Sequence, residues 1–207
     1  MTLYSRIISI TGRLVRGEDI TRVLQSKEQW DAQFEGGAWD RLIEAQPNTA
    51  LIAEMLSEYA AAHAETYRVL DVGCGNGGLA IELASRAPGI SYTGTDISDV
   101  ALTDARRTAP AFSFRAGDAN MPPRDLGSFD AVVFNEVLYY LEYASLMQRY
   151  RRHSRQGGIV IVSLVRTFRS PYIWFRIGRS LATQESFMVQ DAKKGLRWDV
   201  RVCVFRK

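Results

Sequence analysis

The chain has 207 residues, 46% hydrophobic and 24% charged, with a formal net charge of +3. That length buries one sizeable core and suits a single α/β domain with a decorated N-terminus, so no second domain is required. Nowhere do about eighteen apolar residues run together, and Ile7, Ile8, Ile10, Leu14 and Val15 are interrupted by Arg6, Arg13 and Arg16; this argues against a membrane-spanning helix and a signal-peptide core, and a cytoplasmic protein is expected. Cys74 and Cys203 show neither metal-ligand spacing nor a CxxC, so they read as reduced thiols and no metal site is suggested. Charge is unevenly placed. Residues 1–146 hold 12 Lys and Arg against 20 Asp and Glu, a net of −8, whereas residues 147–207 hold 14 against 3, a net of +11. The basic C-terminal third points to an anionic partner, beside the plainer reading of solvated surface arginines.

In chain order, Leu3, Ile7, Ile10 and Leu14 fall at helical spacing and Glu18 to Leu24 is a second helical candidate. Ser26 with Gln29 makes a capping box for a third, which ends near Gly36-Gly37. Trp30, Phe34 and Trp39 cluster in this preamble, either as core packing or as contacts to a ligand. Residues 1–48 are expected to form a helical extension and residues 49–207 the main domain. Asn48 or Thr49 caps a helix to about His63, with Leu51, Ile52, Met55, Leu56 and Tyr59 on one face.

Tyr67 to Asp71 then reads as a short strand that breaks into Gly73, Gly75, Gly77 and Gly78 before a helical pattern resumes at Leu79. Without a Cβ these glycines let a ligand approach the backbone, and the following helix presents unpaired N–H groups. Two cofactor classes fit. Gly73, Gly75 and Gly78 satisfy the dinucleotide pattern G-x-G-x-x-G, with Asp96 about twenty residues on. Asp71-x-Gly73-x-Gly75-x-Gly77 satisfies another, in which a carboxylate at the strand end meets a cationic ligand and would repel a pyrophosphate.

Pro88-Gly89 turns into a second strand, Ser91 to Thr95, that ends in Asp96. Ser98 caps a helix through about Arg107, and strand Phe112 to Arg115 ends in Gly117-Asp118-Ala119. Alternating strands and helices imply a mainly parallel sheet with its ligand crevice at the strands' carboxyl ends, which gathers Asp71, Asp96 and Asp118 at one edge. Ser128 to Phe134 is a continuous, mainly apolar run with Asp130 within it, as suits a buried parallel strand, and delivers Asn135 and Glu136 to the same crevice. A helix from about Ala144 to His153, a Gly157-Gly158 turn and strand Ile159 to Val165 follow. Ser170-Pro171 starts a helix with Ile173, Trp174, Ile177 and Leu181 on one face and Arg169, Arg176 and Arg179 near the other. Glu185 to Gln190 and Arg197 to Phe205 make an antiparallel hairpin across Lys194-Gly195, an ending that a dehydrogenase would not usually have.

The stretches VLDVGCGNG (Val69–Gly77) and FDAVVFNEVLYYL (Phe129–Leu141) resemble motifs of the class I S-adenosylmethionine-dependent methyltransferases, and the resemblance covers roughly Tyr67 to Val165. It implies a Rossmann-like, mainly parallel seven-stranded sheet ending in an antiparallel hairpin, with S-adenosylmethionine as cofactor. Asp96 corresponds to the acceptor of the ribose hydroxyls, Ile97 to the apolar residue flanking adenine, and Asp118, beside Ala119, to the acceptor of the adenine amino group. Asp71, Gly73, Cys74, Gly75 and Gly77 form the cofactor loop, to which Asn135 and Trp39 are added. In enzymes resembling this one the N-terminal preamble closes over the cofactor.

The Asn135-Glu136-Val137-Leu138-Tyr139-Tyr140 form resembles bacterial small-molecule enzymes, among them nodulation N-methyltransferases and saccharide methyltransferases. It lacks the Asn/Asp-Pro-Pro-Tyr/Phe arrangement of many nucleic-acid and protein-glutamine methylators. The expected reaction is O- or N-methylation of a saccharide or other metabolite bearing an anionic group. Glu136, Tyr139 and Tyr140 are the catalytic candidates bordering the acceptor; Glu136 is equally placed to neutralise the sulfonium side or cap the next helix. His63 and His153 fall toward the opposite edge of the sheet. A cofactor-binding regulator without turnover and a nicotinamide oxidoreductase are the alternatives. Nucleic acid is a poorer partner because no binding motif accompanies the charge, whereas Tyr172, Trp174 and Phe175 among arginines offer a peripheral membrane contact.

Overall fold

The computed structural model describes residues 25–40, 46–63, 65–87 and 89–207. The two helical candidates before Gln25 and the turn residue Pro88 lie outside the described residues. Helices α1 (Lys27–Glu35) and α2 (Pro47–Ala61) precede β1 (Tyr67–Val72), α3 (Gly78–Arg86), β2 (Ile90–Asp96), α4 (Asp99–Thr108) and β3 (Ser113–Ala116). There follow β4 (Phe129–Asn135), α5 (Tyr143–Arg151), β5 (Ser154–Val165), α6 (Ser170–Ile177), β6 (Leu181–Asp191) and β7 (Leu196–Phe205). The strands form one seven-stranded sheet in the order β3-β2-β1-β4-β5-β7-β6. The first five are parallel, and β7 is antiparallel to both β5 and β6. The expected fold, closing hairpin included, is therefore the one observed.

Alternation along the central strands builds two cores. Val69, Ala131, Val133, Ile159 and Ile161 face α2, α3 and α4 with Ile52, Leu56, Leu83 and Leu102, while Leu70, Val132, Phe134, Val160 and Val162 face α5 and α6 with Leu146, Met147, Ile173 and Ile177. A strand covered on both faces is apolar at successive positions, which is why the middle of β4, Ala131 to Phe134, reads as an unbroken run.

Three local expectations change. The cap of α2 is Gln46, because Pro47 with its fixed φ opens the helix; Asn48 and Thr49 lie inside the first turn with buried side chains. β5 starts at Ser154 rather than Ile159: Gly157, at φ 79°, is absorbed into a register shift opposite Phe129–Ala131, so the two glycines bulge the strand instead of preceding it. β6 starts at Leu181 rather than Glu185, since its pairing with β7 runs back to Phe205 through a second shift between Thr183 and Glu185.

Phe134 is fully buried and stands edge-on to Tyr150, centroids 5.0 Å apart at 86°. Phe134→Ala is expected to cost about 3–5 kcal/mol, the range for a buried aromatic whose cavity collapses incompletely. Guanidinium unfolding of the two proteins checks this; a loss under about 1 kcal/mol would mean that the α5 side repacks freely.

Candidate active site

The end of β2 shapes the glycine loop. Register pairs Val72 with Thr95, so the chain leaving β1 runs beside the β2 terminus. Thr95 O accepts the N–H of Gly73 (2.7 Å) and of Cys74 (3.0 Å), and Asp96 Oδ2 accepts that of Gly75 (2.9 Å). Asp96 Oδ1 meanwhile accepts the N–H of Ser98, whose own hydroxyl caps α4. Burial raises the Asp96 pKa and these backbone N–H groups oppose the rise. Three N–H groups that a diphosphate-binding loop would offer to its ligand are thus already used. Gly73 sits at φ 71°, where a Cβ would collide with Val137, and Gly75 at φ 53° leaves space beneath Phe34. Gly77, at φ 88°, packs against Ala105 below the loop and shapes the entry to α3 without lining the cavity.

Asp71 is buried, 2% exposed, and its Oδ2 accepts a 2.7 Å hydrogen bond from Tyr92. Its Oδ1 has no partner and the residue lines a cavity of about 770 Å³ at the carboxyl edge of the sheet. Burial pushes the Asp71 pKa up to about 7, against the Tyr92 hydrogen bond. A buried carboxylate oxygen without a donor is costly unless a ligand supplies one, and a cation would also restore the charged form. Cys74, Ile97, Asp118 and Ala119 line the same cavity. Asp118 is exposed, with Oδ1 accepting the N–H of Asn120, so its other oxygen is open to a ligand.

The facing wall is built on Val165. Its N–H donates to Glu136 Oε2 (3.0 Å), while its carbonyl accepts from Tyr139 Oη (2.9 Å) and Ser170 Oγ (2.6 Å). Ser163 Oγ donates to Glu136 Oε1 at 3.0 Å. Burial pushes the Glu136 pKa up to about 8, with Val165 N–H and Ser163 working in the other direction. Among the described residues Glu136 is also the one non-glycine residue at positive φ, 60°. Such backbone costs roughly 1–3 kcal/mol and persists where its surroundings hold it. Tyr139 carries the Arg169 guanidinium over its ring, 5.3 Å from the centroid, and its carbonyl accepts from Arg169 Nη2 at 2.8 Å.

Helix α1 lies across the mouth. Its Asp31 accepts from Ser98 Oγ at 2.6 Å and is bridged by Lys27, which also reaches Asp99. Trp30 stands edge-on to Tyr140 (4.8 Å, 89°), and Trp39 packs between Trp30 and Phe34. The Trp39 carbonyl accepts from Asn76 in the glycine loop, so the preamble is bonded to that loop.

The cavity therefore gathers Asp71, Gly73, Cys74, Gly75, Asp96, Ile97, Asp118, Ala119, Asn135, Trp39, Glu136, Tyr139 and Tyr140, and leaves out Gly77, His63 and His153. Buried His153 binds the Gly127 carbonyl at the far edge of the sheet. Sequence reasoning missed a cluster behind Glu136: Asn48 donates to Asn135 (2.8 Å) and Ser163 (3.1 Å), and Asn135 donates to Thr49 (3.1 Å). Two signals were present. Pro47 at the first helical position frees the next residues from capping, and Ser163 is the one hydroxyl in the run Ile159 to Val165, where a buried polar group needs a partner. The residues suit S-adenosylmethionine: an orphaned carboxylate oxygen at Asp71 for positive charge, spare acceptor capacity on Asp96, and Gly73 and Gly75 of the loop lining the same cavity.

A family model described as a methyltransferase domain matches residues 69–158. The release factor glutamine methyltransferase of Chlorobaculum tepidum is 33% identical over 135 residues, covering 58% of this chain and 46% of that protein. The ubiquinone biosynthesis O-methyltransferase of Pseudomonas paraeruginosa is 32% identical over 165 residues, covering 74% of this chain and 69% of that protein. Against several such relatives the chain spans about half their length. Among solved structures, the 1,6-didemethyltoxoflavin-N1-methyltransferase of Burkholderia thailandensis, bound to 1,6-didemethyltoxoflavin and S-adenosylhomocysteine, shares the fold with a TM-score of 0.70 over 87% of each chain at 17% identity. Identity of 32% reaching across 69% of a named methyltransferase goes beyond a common fold, and the chain belongs to the class I S-adenosylmethionine-dependent methyltransferase family.

Proposed function

We propose that the chain transfers a methyl group from S-adenosylmethionine to a small molecule bearing an anionic group, by O- or N-methylation of a saccharide or other metabolite. The observation that carries this reading is the division of one cavity between an acidic, glycine-built wall (Asp71, Asp96, Asp118) and a wall holding a proton acceptor and a guanidinium (Glu136, Arg169). In this reading the free Asp71 oxygen holds the cationic end of the cofactor, Asp96 the ribose hydroxyls, and Ile97, Asp118 and Ala119 the adenine. When bound, the cofactor supplies an electrophilic methyl group on a cationic sulfur.

The chain's own residues do the rest. Burial raises the Glu136 pKa to about 8 against the hydrogen bonds it accepts from Val165 N–H, Ser163 and Trp198, so its ionised form, which prevails above that pH, takes a proton from an acceptor hydroxyl or ammonium as the methyl arrives. Tyr139 has its hydroxyl committed as a donor to Val165 and its pKa raised by burial, which makes it a brace for Arg169 and not a base. Tyr140 and Trp30 exclude water from the mouth, and the described part of the preamble, residues 25–40, acts as a cover over the cofactor. Arg169 keeps donors beyond those given to Tyr139 and receives the acceptor's carboxylate or phosphate. The occupied loop N–H groups speak against a dinucleotide cofactor.

Asp96→Ala is expected to weaken S-adenosylhomocysteine binding by about 1.5–3 kcal/mol, as charge-assisted hydrogen bonds imply. Calorimetry measures this, and the ligand-free melting temperature separates it from loosening of the glycine loop; unchanged affinity would take Asp96 out of the site.

Incubating the protein with labelled S-adenosylmethionine and a panel of carboxylate- and phosphate-bearing metabolites tests turnover and acceptor class together. Cofactor binding without transfer to any of them, or to cell extract, would favour the regulator.

With a reactive acceptor, the rate should rise with pH to a plateau above about 8, and Glu136→Gln should remove that rise and lower kcat by roughly 10²–10⁴-fold. A variant within tenfold of wild type would leave Glu136 a positioning residue. Stability follows the opposite sign. A folded pKa above the ordinary value lets Glu136 favour folding below pH 4.5 and lose that contribution as pH rises through about 8. Glu136→Gln should therefore flatten the fall in melting temperature across this window.

A further inference from the structure

The basic third of the chain is not arranged as its sequence suggests. Of the four arginines between residues 166 and 180, Arg169 turns in to Tyr139, and Arg176 turns onto the ring and hydroxyl of Tyr172. Tyr172 and Trp174 are half-buried, the latter under Arg201 at 4.0 Å. These aromatics and two of the arginines are therefore unavailable to a surface.

What faces solvent is a different set. Ser170, Ile173 and Ile177 are the buried side of α6; its other side exposes Pro171 and Phe175 (68% exposed), and the turns flanking the helix expose Phe168 (90% exposed) and Arg179. Phe168 borders the cavity mouth. Across that mouth the tip of the β6–β7 hairpin presents exposed Lys193, Leu196 and Arg197, and Leu196 lines the cavity too. The two elements are joined: Arg166 N–H donates to the Arg197 carbonyl at 2.7 Å, and the Arg166 side chain reaches exposed Met188 and Asp199. The acids nearby, Asp191 and Asp199, are paired with Lys194 and Arg166 and mostly covered.

We propose that this rim is a docking surface for an anionic phospholipid bilayer, with Phe168, Phe175 and Leu196 entering the interface and Arg179, Lys193 and Arg197 meeting phosphates, so that the cavity opens onto the membrane. Apolar side chains standing alone are ordinary on a protein surface; here they lie on or beside one helix and at a hairpin tip, ringed by cations, at the entrance to the cavity. That combination is the one by which amphipathic surfaces sit in a headgroup layer, apolar groups at the acyl boundary and cations among anionic heads. A nucleic-acid duplex would use the cations but leave two exposed phenylalanines without purpose, and the vesicle and heparin arms of the test below separate a bilayer from other anionic partners. Among the described residues no helix is long and apolar enough to cross a membrane.

The test mixes the full chain with phosphatidylcholine vesicles, with and without phosphatidylglycerol, and measures co-sedimentation against salt. Wild type should partition onto the anionic vesicles only, less at high salt. Phe168→Ser with Phe175→Ser, and separately Arg179→Gln with Lys193→Gln and Arg197→Gln, should each reduce partitioning by about tenfold or more. All these positions are exposed, so an unchanged melting temperature confirms folding in each variant. No vesicle binding, or equal binding to neutral vesicles, overturns the proposal. So does wild-type partitioning kept by both variants, which would move the contact to another part of the chain, residues 1–24 included. Loss in the charge variant alone means adsorption without insertion and also overturns it, as does binding to heparin but not to vesicles. Vesicle binding is read without turnover, so failure of the methyl-transfer reading would appear separately, as absent S-adenosylhomocysteine binding.

Discussion

The carboxylate of Asp96 is the constraint on which the cofactor side depends. One oxygen fixes the glycine loop through Gly75 and the other fixes the entry to α4 through Ser98, so a single side chain ties β1, β2 and their two helices at the point where the crevice opens. Parallel register places it there: β1 and β2 run in step from Tyr67 with Ile90 to Val72 with Thr95, and the chain has then to leave both strands at the same height. Glycine at positive φ lets the loop turn tightly enough for its N–H groups to reach back to β2.

The other wall is held by the backbone of one residue. Val165 donates to Glu136 and accepts from Tyr139 and Ser170, so the end of β5 sets the acid, the aromatic brace and the start of α6 together. Glu136 could not sit at φ 60° without those anchors, and behind it Ser163, Asn48 and Asn135 continue the network into α2. A buried network of this kind resists substitution at its members, because removing one partner leaves a buried group unpaired.

Much of this was legible in the sequence, because strand ends leave local marks. Asp71, Asp96 and Asp118 each stand at the end of a short strand pattern, and topology alone assembles them. What was not legible depends on side-chain direction. Asn48 and Thr49 have the composition of a cap, and only the position of Pro47 shows that they point inward. Arg169, Arg176 and Arg179 lie on or beside one helix, yet two of the three are held by aromatic rings while the third is exposed. Residue counts register charge without registering which guanidinium is already engaged. Likewise the Gly157-Gly158 pair carries the composition of a turn, and its use as a bulge is decided by the partner strand.

Helix α1 touches both halves of the cavity, Asp31 meeting Ser98 beside Asp96 and Trp30 meeting the ring of Tyr140. A ligand at either half that steadies this helix spares the next ligand part of the ordering cost. The resulting coupling is reciprocal, so whatever factor the first ligand adds to the affinity of the second, the second adds to the first. Donor and acceptor sites joined through one short helix are in this sense a single thermodynamic unit, and the order in which the two molecules arrive changes the route but not the total.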